Sequence, residues 1–187
     1  MHLFDTAIGR CAVGWSEHGI ASIQLPGPSD AQLRARVRGR LPDAEEGARP
    51  PAIEEAVARI RALLGGAADD LADLPLDMEH VPAFHRRVYE HARRVGPGST
   101  ITYGELAARA GKPGGARAVG QAMGRNPFPI VVPCHRVLAA GGRAGGFSAP
   151  GGVGTKLRML AIERPLCAAS APLFDALPAS AHADPKR

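Results

Sequence analysis

The run Pro127-Phe128-Pro129-Ile130-Val131-Val132-Pro133-Cys134-His135-Arg136-Val137 constrains this chain more than any other stretch. Proline fixes its own φ and biases the residue before it towards extended geometry. The three prolines therefore predict a rigid, buried, strand-like arm that delivers Cys134 to one place. A thiol is a poor nucleophile until it becomes a thiolate, and a neighbouring imidazole or positive charge lowers its pKa. Most free cysteines are small core hydrophobes. His135 and Arg136 beside Cys134 favour a reactive thiol instead.

The remaining composition narrows the class. At 187 residues the chain holds one ordinary domain or two small ones, and 45% apolar residues exclude a wholly disordered chain. The three cysteines, Cys11, Cys134 and Cys167, are odd in number and far apart, with no CxxC or Cys/His zinc spacing. Neither a disulfide framework nor a structural metal site is indicated, and a reducing compartment fits. No signal peptide is visible, and no apolar run approaches membrane-spanning length. A soluble, cytoplasmic protein without a membrane partner is expected.

The net charge of +5 hides an asymmetry. Residues 83 to 163 carry twelve Lys/Arg against three Asp/Glu, whereas the rest carries eleven against fifteen. Basic charge in the half that holds the thiol points to a polyanion, nucleic acid first. Charge alone does not separate this from a merely solvated basic face.

Residues 2 to 25 read as β, with Arg10–Trp15 and Gly19–Leu25 joined by a turn at Ser16–Gly19. Ser29 and Gln32 suggest a capping box opening a helix with Leu33, Val37 and Leu41 on one face. Residues 43 to 50 read as a loop. Pro51 suits a first helical turn, and Ile53, Val57, Ile60 and Leu64 form its apolar stripe up to Gly65-Gly66. A connector from Ala67 to Val81, with a short strand near Leu76, marks a domain boundary.

The second half reads as mainly helical. A helix from Pro82 turns Phe84, Val88, Ala92 and Val95 inward and Arg86, Arg87, Arg93 and Arg94 outward. Thr102 and Glu105 form a capping box for a helix from Tyr103 to Ala110. A glycine turn and a helix from Ala116 to Arg125 complete a helix-turn-helix pattern. The second helix is thin, with Ala116, Ala118, Gly120, Ala122 and Gly124. Such a helix can approach a DNA groove wall or pack closely on another helix. A glycine-rich loop surrounds Phe147-Ser148 without phosphate-loop spacing, and a last helix runs from Thr155 to Ile162, ending at Glu163. The fold class expected is mixed α/β (α+β). A small sheet-plus-helices domain at 1–80 precedes a mainly helical domain at 81–164, with a frayed tail at 165–187 that holds Cys167.

Ile101-Thr102-Tyr103-Gly104-Glu105-Leu106-Ala107, Ala116-Arg117-Ala118-Val119-Gly120, Asn126-Pro127 and Pro133-Cys134-His135-Arg136-Val137 together resemble the O(6)-alkylguanine-DNA alkyltransferases. The resemblance runs in order from about Pro82 to Glu163, and Phe4–Gly9 is similar to the start of that family's N-terminal domain. It implies direct repair of alkylated double-stranded DNA. A damaged guanine, or an alkylated thymine, would be flipped from the duplex, and Cys134 would take its alkyl group. His135 would act as base through a water, with Glu163 orienting the imidazole. The resemblance also implies that Arg117 fills the hole left by the base. Tyr103 would line the base pocket and crowd a phosphate, and Asn126 would tie the second helix to the active-site arm. Backbone groups at Cys134, Val137 and Ser148 would read the guanine edge, with Phe147 at the pocket wall. Ala118, Arg125 and Arg136 are the further DNA contacts expected.

No group in the sequence could break the resulting thioether, so a single-turnover protein acting as a monomer, without cofactor or metal, is expected. Phe147 stands where relatives often carry tyrosine, and Ala149-Pro150 lengthens the loop before the last helix. Two other readings remain open at this point. One is a binding-only, alkyltransferase-like protein, against which Cys134 argues. The other is a thiol hydrolase with a Cys-His-Glu triad, which leaves Arg117 and the basic half unexplained.

Overall fold

Short runs separated by turns at the N-terminus yield three antiparallel strands, β1 (His2–Thr6), β2 (Gly9–Ser16) and β3 (Gly19–Gln24), in the order β1-β2-β3. The computed structural model describes residues 1–166. The expected hairpin between β2 and β3 forms, with Val13 opposite Ile23, and β1 adds Phe4 opposite Cys11. Of the tail expected from 165 onward, only Pro165 and Leu166 are described, in a 3-10 turn with Arg164. Cys167 and the rest of that tail lie outside the described residues.

Helix α1 (Asp30–Arg38) starts where Ser29 accepts a hydrogen bond from the Gln32 amide at 3.3 Å, and it buries Leu33 and Val37. Helix α2 (Pro51–Leu64) begins at proline and buries Ile53, Val57, Ile60 and Leu64, the predicted stripe. Arg59 clamps the following connector through Asp69 and Asp73. The short strand expected near Leu76 is reduced to a single bridge with Ile20.

In the second half, α3 (Ala83–Arg93) buries Val88, Tyr89 and Ala92. Arg93, expected outside, is half-buried, because its guanidinium reaches back to the Leu71 and Leu74 carbonyls at 3.1 and 2.7 Å. Its aliphatic stem covers apolar surface while its head finds acceptors. The Thr102–Glu105 capping box is complete at the start of α4 (Tyr103–Arg109), and α5 (Ala116–Gly124) follows after a turn. Tyr89 ties α3 to α5 by donating to the Ala122 carbonyl at 2.8 Å. Two short parallel strands, β4 (Ile101–Thr102) and β5 (Val137–Leu138), pair Ile101 with Val137. Helix α6 (Gly152–Glu163) begins three residues before the expected Thr155.

One apolar cluster crosses both halves, from Phe4, Ile20 and Ile60 to Val88, Phe128 and Met159. Direct links reinforce it. The Ile23 amide donates to the Pro127 carbonyl at 2.8 Å, and Arg158 on α6 donates to the carbonyls of Ala7 and Ile8. The edge of the N-terminal sheet is thereby pinned beside the segment that carries the thiol.

Candidate active site

The arm before Cys134 is buried, as its apolar prolines require, but it is not a strand. It doubles back: the Val132 amide donates to the Phe128 carbonyl at 2.7 Å, and Ile130 adopts a φ of +78°. A β-branched residue with positive φ is strained, typically by about 1–3 kcal/mol, and persists only where its surroundings dictate it. Asn126 does the dictating. Its Oδ1 accepts the Phe128 N–H at 2.9 Å and its Nδ2 donates to the Val132 carbonyl at 2.8 Å. With prolines unable to donate to a ladder, one side-chain amide satisfies the backbone groups that a neighbouring strand would otherwise take.

Cys134, His135 and Arg136 form a 3-10 turn rather than extended chain. Cys134 faces two cavities, whereas His135 and Arg136 are fully buried against Glu163 at the end of α6. The His135 Nε2 lies 2.9 Å from Glu163 Oε1. Arg136 donates Nε to both Glu163 oxygens at 3.2 and 3.0 Å, Nη2 to Oε1 at 2.7 Å, and Nη1 to the Val95 carbonyl at 2.6 Å. Arg136 was expected among the DNA contacts; the structure corrects this, since its guanidinium is sealed in the core and its donors are committed inside the fold. The single carboxylate at the end of α6 thus holds both residues that follow the thiol.

These contacts decide the ionisation states. Burial pushes the Glu163 carboxyl up, but hydrogen bonds from His135 and Arg136 more than offset this and hold it at about 2. Glu163 is therefore a carboxylate, which only accepts, so the His135 Nε2 carries the proton and donates to it. The Nδ1 lone pair is then the basic atom, and it has no hydrogen-bond partner among the described residues. Burial lowers the pKa of His135, which favours this neutral form. The Cys134 thiol pKa is raised, chiefly by burial, against the opposing influences of Asn126 and the charge of Lys156. The sequence predicted a lowered value; Arg136 spends its charge on Glu163, so desolvation prevails.

Lys156 was not singled out from the sequence. It is fully buried, donates from Nζ to the Val137 carbonyl at 2.6 Å, and is held at about 8 by burial. Its signal was present: Lys156, Met159, Leu160 and Glu163 share the i, i+3, i+4, i+7 face that α6 turns inward. With Arg136 and Lys156 both inside, two of the twelve cations in this half leave the surface.

The first cavity, about 470 Å³, is walled by Tyr103, Gly120, Met123, Gly124 and Phe147, with Cys134 in its lining. The second, about 430 Å³, reaches from Cys134 towards β3 and Pro28. Met123, Phe147 and Ser148 border both, and the Ser148 hydroxyl donates to the Gly124 carbonyl at 3.2 Å, joining the glycine loop to α5 above the thiol. The site thus gathers Cys134, Asn126, Tyr103, Phe147 and Ser148, with His135, Glu163 and Val137 behind them. Arg117 and Arg125 are exposed on and just beyond α5, and Ala118 is half-buried between them.

Close helix packing does not explain why α5 is thin. A Cβ added at Gly120 or Gly124 would meet nothing within 4 Å. Glycine in a helix interior costs about 1 kcal/mol relative to alanine, and no neighbour inside this fold requires it. The bare face of α5 is open, and it borders the larger cavity.

Residues 83–165 match the family described as 6-O-methylguanine DNA methyltransferase, DNA binding domain. A methylated-DNA–protein-cysteine methyltransferase of Mycolicibacterium paratuberculosis is 43% identical over 126 residues, which cover 67% of this chain and 74% of that protein. The chain belongs to the methylated-DNA–protein-cysteine methyltransferase family. A second methyltransferase of the family, from Methanothermobacter thermautotrophicus, is 36% identical over 151 residues, covering 81% of this chain and 77% of that one. The regulatory protein ada of Salmonella typhimurium is 37% identical over 145 residues, and the chain spans 40% of its length. Among solved structures of methyltransferases, the Mycobacterium tuberculosis OGT in complex with DNA superposes with a TM-score of 0.69 at 30% identity, covering 89% of this chain and 93% of that one. The O6-methylguanine-DNA methyltransferase of Pyrococcus kodakaraensis gives 0.65 at 31% identity, over 87% and 96%.

Proposed function

We propose that this chain repairs DNA directly, transferring an alkyl group from the O6 atom of guanine, and from the O4 atom of thymine, to the sulfur of Cys134. The observation that carries the reading is the position of that sulfur, in the wall of a cavity of about 470 Å³ bordered by the bare face of α5. A base extruded past α5 would meet Tyr103, Phe147 and the thiol together. In the reaction the S–C bond forms as the C–O6 bond breaks, and the electron pair returns to the base. The thiol proton passes through a water to the His135 Nδ1, and the imidazolium returns it through water to N1 of the departing guanine, so protons and charge balance. Glu163, ionised and fixed, steadies the transient imidazolium. Because burial disfavours a resting thiolate, the sulfur is armed only as the proton leaves, with the alkylated base already in place.

The remaining residues take roles by position. Arg117, exposed at the start of α5 and without an ion pair among the described residues, would fill the gap in the base stack. Arg125 and Ala118 would meet the phosphate backbone. Asn126 holds the arm and Tyr103 crowds the flipped nucleotide. Lys156 fixes the Val137 carbonyl, the backbone group that would accept from the guanine amino group. On this reading residues 81–164 perform recognition and chemistry as a monomer, and residues 1–80 buttress the arm. Among the described residues no helix is long and apolar enough to cross a membrane, and no cluster could hold a metal.

The test is incubation with duplex DNA carrying O6-methylguanine, followed by intact-protein and peptide mass. The expected result is a gain of one methyl group, on the peptide that contains Cys134, saturating at one per chain. Tight binding without a mass change would favour a lesion-binding protein, and repeated turnover of a thioester a hydrolase.

A further inference from the structure

Two cavities meet at one sulfur, and only one of them is accounted for by a flipped base. In-line displacement places Sγ, the reacting carbon and O6 on one axis, so any substituent on that carbon projects sideways. A methyl group has no such substituent; a longer alkyl group does. The second cavity runs from Cys134 past Met123, near the end of α5, towards β3. Its lining contains no Asp or Glu, and its one charged side chain is Arg36 of α1.

Arg36 is unusual within the first 80 residues. Every other arginine there donates to a carboxylate or a backbone carbonyl. Arg36 makes no ion pair or hydrogen bond with any described residue, although it is half-buried. It lies against the bare Cα of Gly27, where an added Cβ would come within 3.2 Å of its Nη1. A partly desolvated guanidinium without an acceptor, on the wall of a cavity that ends at a nucleophile, is suited to a carboxylate on the incoming group.

We infer that the second cavity receives the part of an adduct beyond its first carbon, and that Arg36 makes this chain select adducts ending in a carboxylate, with O6-carboxymethylguanine as the simplest. The inference rests on the alkyl transfer proposed above. The bonds made and broken are unchanged: S–C forms, C–O6 breaks, and the carboxymethyl group ends as a thioether on Cys134 while guanine regains its N1 proton. The N-terminal half then acts in specificity as well as support.

The experiment compares transfer rates from duplexes carrying O6-methylguanine and O6-carboxymethylguanine, read by protein mass, for the native chain and for Arg36→Ala and Arg36→Glu. A charge-assisted hydrogen bond of at least about 1.4 kcal/mol corresponds to about tenfold in rate. Arg36→Ala should therefore slow carboxymethyl transfer about tenfold, and Arg36→Glu further, with methyl transfer unchanged. The methyl arm also reports that each variant is folded. An unchanged ratio of the two rates would overturn the assignment. So would an equal loss on both substrates with weakened duplex binding, which would give Arg36 to a DNA phosphate instead. Failure of the native chain to accept even the methyl group would instead remove the underlying reaction.

Discussion

At the scale of single residues, the chemistry turns on which groups Glu163 commits. It accepts a hydrogen bond from His135 Nε2 and three donor contacts from Arg136, leaving beside the thiol a neutral imidazole and the Lys156 cation. Cys134→Ser should therefore abolish transfer, since a hydroxyl in the same place ionises far less readily than a thiol. Its duplex affinity, measured by fluorescence anisotropy, should stay within about twofold (on the order of 0.4 kcal/mol). The same cluster sets the acid stability. Glu163 titrates near 4.5 when unfolded and at about 2 when folded, so between those values the unfolded chain binds more protons and stability is lost as pH falls. His135, depressed below 6.5, adds a loss of the same sign that begins as pH drops through 6.5. Urea midpoints followed from pH 8 to pH 3 should decline below 6.5 and again below 4.5; a flat profile would dissolve the ionised cluster. The sequence displayed Cys134 and His135 as adjacent reactive types, whereas Glu163 came only with the family resemblance. It misplaced Arg136 and passed over Lys156, since burial of a cation depends on a partner brought in from another part of the chain.

Elements show a similar division. Helices α2, α4 and α5 were legible from local signals: a proline at the first turn, a capping box, and a glycine turn immediately before the helix. Strands β4 and β5 were not, because two residues each carry no periodicity and exist only by pairing across 36 positions, Ile101 with Val137. The arm was read as extended because proline excludes helix, and what the sequence could not display was Asn126 gathering its backbone into a reversal. Helix α5 offers two expected outcomes. Gly120→Ala has room inside the fold and should raise stability by about 1 kcal/mol, while weakening duplex affinity because the added methyl stands on the face offered to DNA. A thermal melt and a binding titration on the same variant check both signs; stabilisation without loss of affinity would free that face of its role. Arg117→Ala should slow transfer from duplex DNA at least tenfold more than transfer from the free alkylated base, because extruding a base costs a few kcal/mol of stacking and pairing. Equal slowing of the two would take the gap-filling role from Arg117.

For the molecule as a whole, the sequence suggested two domains, divided at the connector from Ala67 to Val81. The structure threads one apolar cluster through both halves and fastens them by Ile23 to Pro127 and by Arg158 to the β1–β2 turn. Unfolding should accordingly be a single transition. Trp15, the one tryptophan, reports the N-terminal sheet, while far-UV circular dichroism is dominated by the helices. The two signals should give coincident midpoints in urea; separated midpoints would mean the halves melt independently. Order along the chain carries a further consequence. Glu163 follows His135 by 28 positions, at the far end of α6. Any truncation before residue 163 would therefore keep Cys134 and His135 while removing the carboxylate that accepts from the imidazole. Such a fragment should retain the sulfur yet lose the ionised anchor of its neighbour, so the last turn of α6 is as needed as the segment that bears the thiol.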